Sequence, residues 1–378
     1  MRGRRLVPIG GLEVLAIVGF LFAAYAVIAN DSIQTLGTFL ASNAHRPWWV
    51  LWLFAAGIMV TALLTNQFGL QISAWFVEMG FAPLAGFFAG FDGGLADGKL
   101  NPIPYPEQGI QWYHALPPIV LLFLTRFGIP VSTTFLVLTV FALTGGAATE
   151  GVMESMLIKS LIGYVVAFAA GAVIWLLISR FWETWIGRTD HGQHSHPAWS
   201  IAQWLTTGFL WFTWLQQDFA NIFVFMPREP VLDANGDVTM MVFSPFIVVA
   251  GALIMAAMMA YIFATRGGEI QKIVTTKTHT VDVRAATIVD LIYAIVLYYF
   301  KELNDVPMST TWVFLGLLAG RELAISFVTR LRTRGAAAFD VGTDAARAFI
   351  GLVISVGLAI GMPWAAYGEM PSFFGLGG

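Results

Sequence analysis

Residues 128–135 read Gly128-Ile129-Pro130-Val131-Ser132-Thr133-Thr134-Phe135, and residues 305–312 read Asp305-Val306-Pro307-Met308-Ser309-Thr310-Thr311-Trp312. Each stretch has a proline, one apolar residue, Ser-Thr-Thr, and then an apolar run. The offset is 307 − 130 = 177, close to half of the 378-residue chain. Proline favours the first turn of a helix, and serine and threonine favour the cap beside it. Both stretches are therefore expected to be helix starts. A helix start leaves backbone N–H groups without intrahelical partners and carries partial positive charge. Within a bilayer it is tolerated only where protein or a water-filled cavity satisfies it. With three hydroxyls added, such a start makes a pocket for an oxyanion. A single copy would read as ordinary capping. Two copies in matching apolar halves favour binding, because internal duplication is frequent in transporters.

The surrounding chain is suited to lipid. It is 57% hydrophobic and only 11% charged, where a soluble domain carries roughly 25% charged residues. An ordinary soluble enzyme and a disordered chain are both excluded. The formal net charge of −3 points to no nucleic-acid partner. The absence of cysteine removes disulfides, thiolate metal sites and cysteine nucleophiles. Several apolar runs approach the roughly 20 residues that cross a bilayer as a helix. They are continuous rather than alternating, which speaks against a transmembrane β-barrel. The expected fold class is an all-α polytopic membrane protein, with the multi-pass chain in a cell inner or plasma membrane.

Spans are expected at Leu12–Ala29, Trp48–Leu64, Ser155–Ile178, Ile201–Phe225, Phe246–Ala264, Ala285–Phe300 and Ala346–Trp364. Shorter apolar stretches lie at Ala82–Phe91 and Leu116–Phe127, for about eight to ten membrane segments in all. Arg2, Arg4 and Arg5 bias the N-terminus to the cytoplasm, as do the basic stretches Arg266–Arg284 and Arg330–Arg334 for their loops. Asp92–His114, rich in Gly and Pro, is expected to be non-helical. The turn signal Asn235-Gly236-Asp237 marks another loop. The organisation expected is a membrane helix and loop over 1–45, a first repeat half over 46–186, a polar His-rich linker over 187–199, and a second half over 200–378.

Two polar segments precede the Ser-Thr-Thr stretches. One is Thr65-Asn66-Gln67-Phe68-Gly69, and the other is Gln216-Gln217-Asp218-Phe219-Ala220-Asn221. Amides and carboxylates inside membrane spans are costly and usually face a cavity, and their oxygens suit a hard cation such as Na⁺. Asp218 and Asn221 are three apart and share a helix face. Helix–helix hydrogen bonding by amides is the competing reading for Asn66 and Gln67. It is weaker for Asp218, since a buried carboxylate needs a partner.

The Ser-Thr-Thr stretches resemble the duplicated Pro-Val-Ser-Thr-Thr-His signature of the Pit-type inorganic phosphate transporter family. Gln217-Asp218-Phe219-Ala220-Asn221 resembles its duplicated Asn-Asp-x-x-Asn element, and Asn66-Gln67 looks like a degraded first copy. The order of the four elements agrees, and the resemblance spans about Trp48 to the end. It implies two inverted repeats with re-entrant helical hairpins. It also implies secondary active uptake of inorganic phosphate or a related small oxyanion such as sulfate, coupled to Na⁺ or H⁺ by alternating access. Carried over, Ser132, Thr133, Thr134, Ser309, Thr310 and Thr311 would line the anion site. Asp218, Asn221, Asn66, Gln67 and Gln217 would serve the cation, with bound Na⁺ and no other cofactor. The chain departs from the signature: the terminal His is Phe135 in one copy and Trp312 in the other, and the first-copy Asp is Gln67. Losing that carboxylate removes a group that could neutralise a cation.

His191, His194 and His196 share the linker with Asp190. Imidazoles at this spacing suit Zn²⁺, though a polar loop accounts for them as well. No P-loop and no local signature of a catalytic triad is present, so an enzyme is not expected. Arg321-Glu322 reads as an ion pair inside the bundle, Arg126 as an interfacial cation, and Trp199–Trp214 as an interfacial belt continuing into a span. A homodimer is compatible with this reading. A non-transporting membrane subunit of a larger complex is the alternative function, motivated by the eroded cation element.

Overall fold

The computed structural model describes residues 13–90, 95–96, 100, 103, 105–127, 129–144, 152–189, 196–265, 283–299, 309–328 and 333–368. Eleven α-helices and one β-hairpin are found among the described residues. They are α1 (Val14–Ser42), α2 (Trp48–Glu78), α3 (Ala82–Ala89), α4 (Trp112–Arg126), α5 (Thr133–Thr144), α6 (Val152–Thr189) and α7 (Pro197–Phe223). The hairpin of β1 (Glu229–Leu232) and β2 (Val238–Val242) follows, then α8 (Pro245–Ala264), α9 (Val283–Leu297), α10 (Thr310–Val328) and α11 (Arg334–Tyr367).

Five of these helices are long and apolar enough to cross a membrane: the Val14–Ser32 part of α1, α2, α8, α10 and the Arg334–Ala366 part of α11. Shorter apolar helices lie at Thr133–Ala142, Leu161–Leu177 and Ala286–Leu297. Their outward faces carry exposed Leu53, Leu70, Val165, Leu177, Phe246, Leu253, Phe349 and Val353, as a lipid solvent requires. The chain is an all-α integral membrane protein of several passes.

Several expected boundaries move. The first span was placed at Leu12–Ala29, but α1 continues to Ser42. It does so because Asn30, Asp31, Thr35 and Thr38 are buried inside the bundle and make hydrogen bonds there. The second span was expected to stop at Leu64. Instead α2 runs on to Glu78 through a bend at Phe68, whose φ of −136° and ψ of 30° are non-helical. His114, placed in the Gly/Pro-rich loop, belongs to the first turn of α4 and accepts the Gln111 N–H through Nδ1 at 2.9 Å. The Trp-rich stretch is also less interfacial than expected. Trp211 and Trp214 are fully buried, and the Trp211 indole donates to the Ala55 carbonyl at 3.1 Å.

The expected turn at Asn235-Gly236 closes the β-hairpin, with Gly236 at a φ of 89°. Left-handed backbone of this kind favours glycine. Asp233 organises the same loop by accepting the N–H groups of Asn235 (2.8 Å) and Asp237 (2.9 Å). These bonds hold its carboxyl below the usual carboxylate range.

Two packing features position the site. α7 lies at the centre, touching α1, α2, α5 and α9. Its 27 residues span about 40 Å at 1.5 Å per residue. α6 and α10 pack along their length through glycine. A Cβ on Gly171 would stand 2.7 Å from the Leu317 carbonyl oxygen, and one on Gly316 would stand 2.6 Å from that of Tyr164. Gly320 meets the Phe168 carbonyl oxygen in the same way. Small residues let membrane helices approach this closely. Arg321, at the same seam, pairs with Glu322 at 2.9 Å and lies over the Trp175 ring at 5.2 Å, matching the expected ion pair.

Candidate functional site

Both Ser-Thr-Thr stretches are helix starts, and they are built alike. Ser132 accepts the Phe135 N–H through its hydroxyl at 3.2 Å, and its carbonyl accepts the Leu136 N–H at 2.9 Å. Ser309 accepts the Trp312 N–H at 3.4 Å, and its carbonyl accepts the Val313 N–H at 3.0 Å. Each serine is thus an N-cap, with the two threonines as the first helical residues. The capping reading holds for Ser132 and Ser309. The threonines differ in exposure: Thr133, Thr310 and Thr311 are buried, and Thr134 is half-buried. The Thr311 hydroxyl, fully buried, has no hydrogen-bond partner among the described residues. Buried polar atoms rarely stay unsatisfied in a finished structure without a ligand, water or ion. Pro130 precedes α5 by three residues; Pro307 lies outside the described residues.

α4 and α5 form a helical hairpin joined by residues 127–132. At about 22 and 18 Å, neither helix spans the roughly 30 Å hydrocarbon core. The hairpin tip reaches two other helices. On one side the Thr133 hydroxyl donates to Asp218 Oδ1 at 3.1 Å. Asn221 Nδ2 approaches Asp218 Oδ1 (2.8 Å), Thr133 Oγ1 (3.1 Å) and Thr134 Oγ1 (3.3 Å). Asp218 and Asn221 are 1% and 0% exposed, and the Asn221 carbonyl oxygen is buried without a hydrogen-bond partner. This places an anionic carboxylate and a spare amide oxygen beside a helix N-terminus. Such a set can hold a small cation next to an anion.

On the other side, the Thr125 hydroxyl at the end of α4 meets Asn30 Oδ1 on α1 at 3.5 Å, and Asn30 Nδ2 donates to Asp31 Oδ1 at 3.0 Å. Asn30 and Asp31 are both buried. The sequence reading passed over this pair because it lay just past the expected end of the first span. A signal was present: Asn30-Asp31 keeps both leading residues of an Asn-Asp-x-x-Asn element, with Gln34 at its last position.

Asn66, Gln67 and Gln217 are placed differently. Asn66 Nδ2 donates to its own helix at the Ala62 carbonyl (3.0 Å) and to Gln216 Oε1 on α7. Gln67 Nε2 donates to the Phe243 carbonyl at 2.9 Å. These bonds join α2 to α7 and to the end of the β-hairpin, at the level of the α2 bend. Gln217 is half-buried beside Asp218. His191 and His194 lie outside the described residues. His196 caps α7 by accepting the Ala198 N–H at 3.2 Å. Among the described residues no group of three His, Cys, Asp or Glu side chains could hold a metal ion.

The second Ser-Thr-Thr start is approached through α9. The Tyr293 hydroxyl donates to the Thr310 carbonyl at 3.2 Å. The Tyr293 ring meets Trp214 of α7 edge-on at 5.5 Å and stacks on Phe314 of α10 at 5.6 Å. One helical turn further along α7 from Trp214 is Asp218. A second buried carboxylate on α9, Asp290, accepts the hydroxyls of Thr38 (2.7 Å) and Thr207 (2.6 Å).

No protein-family model matches the chain, and no curated protein matches it. Among solved structures, one described as the sodium-dependent phosphate transporter is similar over 93% of this chain and 97% of that chain. The TM-score is 0.53 and the identity 14%. The chain therefore shares the fold of that transporter at a sequence distance where few residues are held in common.

Proposed function

We propose that the chain is a secondary transporter of inorganic phosphate or a related small oxyanion, coupled to a cation. The observation that carries this reading is the contact of a Ser-Thr-Thr helix start with the buried Asp218–Asn221 pair. Thr133, Thr134, Thr310 and Thr311, with the N–H groups of their turns, serve the anion. Ser132 and Ser309 hold those turns open as caps. Asp218 and Asn221, with Asp31 from α1, serve the cation, whose charge offsets the anion's in a medium of low dielectric. Na⁺ is the preferred ion, because oxygen ligands without a metal-binding His or Cys suit a hard monovalent cation. Asn66 and Gln67 use their amide N–H groups to tie α2 to α7 and to the end of the β-hairpin, a supporting role. The fold shared with a sodium-dependent phosphate transporter supports the same substrates. Alternating access between two inverted halves follows from this reading.

Uptake of radiolabelled phosphate and sulfate into proteoliposomes, with and without an inward Na⁺ gradient, tests the proposal. Phosphate uptake that rises with the gradient is the expected result. Uptake of neither ion under either condition would sink it and leave the non-transporting subunit as the better account.

A further inference from the structure

We propose that Tyr293 is the positioning residue through which cation binding at the α7 and α1 carboxylates sets the geometry of the second anion-binding turn. The inference rests on the function proposed above and deepens it.

The two helix starts are coupled to the carboxylates differently. At the first, Thr133 touches Asp218 directly. At the second, the connection runs through α9. Tyr293 grips the first turn of α10 at two points: its hydroxyl on the Thr310 carbonyl and its ring on Phe314, four residues on. The same ring rests edge-on against Trp214, on the face of α7 that carries Asp218 one turn later. Asp31 and Asp218 both lie within electrostatic reach of the Tyr293 hydroxyl. The hydroxyl is a buried dipole bonded to the Thr310 carbonyl and subject to the field of both carboxylates. A cation bound at these carboxylates changes the field on that dipole. The hydroxyl then relaxes toward or away from Thr310, and the turn carrying Thr310 and Thr311 follows. The turn's own hydroxyl at Thr311 has no hydrogen-bond partner among the described residues to hold it back. A tyrosine is suited to this because aromatic packing fixes its ring while the hydroxyl stays a single directional contact.

The test is phosphate binding to purified protein, measured with and without Na⁺ for the wild type and Tyr293→Phe. The substitution keeps both ring contacts and removes one oxygen. In the wild type, Na⁺ should tighten phosphate binding by about tenfold or more, within the usual range of coupling between sites. In Tyr293→Phe the ratio should fall at least about fivefold, while the affinity without Na⁺ stays within about twofold. A purely structural role would weaken binding equally in both conditions and leave the ratio intact, which would overturn the proposal. Phe314→Leu, which keeps the hydroxyl bond, should retain most of the ratio; an equal loss there would count against the hydroxyl. Independently of any variant, Na⁺ should slow hydrogen exchange at the Thr310–Val313 amides of the wild type, and unchanged exchange would overturn the proposal. A wild type that binds no phosphate at any Na⁺ level would instead overturn the transport reading itself.

Discussion

The Thr133 hydroxyl donates to the Asp218 carboxylate at 3.1 Å across 85 positions of sequence. This one bond joins the start of α5 to the C-terminal part of α7. It puts the hydroxyl proposed for the anion and the carboxylate proposed for the cation in direct contact. Neither group can be changed without altering the surroundings of the other.

Thr133→Val keeps the shape of the side chain and removes the donor. Asp218 would then lose one of its hydrogen bonds inside the bundle, at a cost of about 1–3 kcal/mol. Uptake at low phosphate should fall at least tenfold, with a modest drop in melting temperature in detergent. Thr134→Val, at a half-buried position where the hydroxyl accepts from Asn221 Nδ2 at the longer distance of 3.3 Å, should cost less.

Asp31→Asn and Asp218→Asn each remove one carboxylate charge while keeping the side-chain shape. Either change should shift or flatten the Na⁺ activation curve of uptake, and the two together should abolish Na⁺ dependence. Unchanged Na⁺ and pH dependence in a variant would remove that residue from the cation site.

Asn66 was a candidate cation ligand in the sequence, yet its amide bonds to Gln216 and to the Ala62 carbonyl. Asn66→Leu should therefore lower stability by about 1 kcal/mol, the scale of a helix–helix hydrogen bond in a membrane. Its Na⁺ half-saturation should not change. A several-fold shift in that constant would restore Asn66 to the site.

Gly320→Ala would drive a methyl group against the backbone of α6 at Phe168 and Ala172. Overpacking of this kind costs about 1–3 kcal/mol, readable as a lower denaturation midpoint in detergent. Gly357→Ala on α11, where nothing stands within 4 Å of a Cβ, should be neutral or slightly stabilising.

The Asp233 carboxyl is depressed by the N–H bonds of Asp237 and Asn235. A group whose native titration lies below its unfolded one stabilises at pH above the unfolded value, about 4 for Asp. That contribution is lost as pH falls through the native titration. The protection of the Asn235 and Asp237 amides, relative to their intrinsic exchange at each pH, should fall below about pH 4, and Asp233→Ala should lower it at neutral pH. Protection unchanged by acid would contradict the role given to the carboxyl.

The sequence was most legible where one kind of residue had only one physical outlet. Long apolar runs had to become buried or lipid-facing helices, and Ser-Thr-Thr before an apolar run had to become a capped start; both expectations hold at α5 and α10. It was least legible where a polar residue sits inside an apolar helix. Asn30-Asp31 looked like the end of a span because nothing local reveals that α4 will supply Thr125 to meet it. Asn66-Gln67 read as a ligand pair, and nothing local reveals that Gln216 of α7 and the Phe243 carbonyl will accept its amide N–H groups. Tyr293 carried no signal, since a tyrosine in a membrane helix is ordinary until its hydroxyl is seen to reach Thr310. In each case the partner comes from a distant part of the chain.

The glycine seam between α6 and α10 has a mechanical consequence. With Gly171, Gly316 and Gly320 pressed on the facing backbone, neither helix has clearance to slip along the other. A turnover that exposes Thr310 and Thr311 first to one side of the membrane and then to the other has to carry both helices together, as one slab. The give must then come at softer joints, and aromatic rings such as Tyr293 against Trp214 can roll where abutting carbonyls cannot.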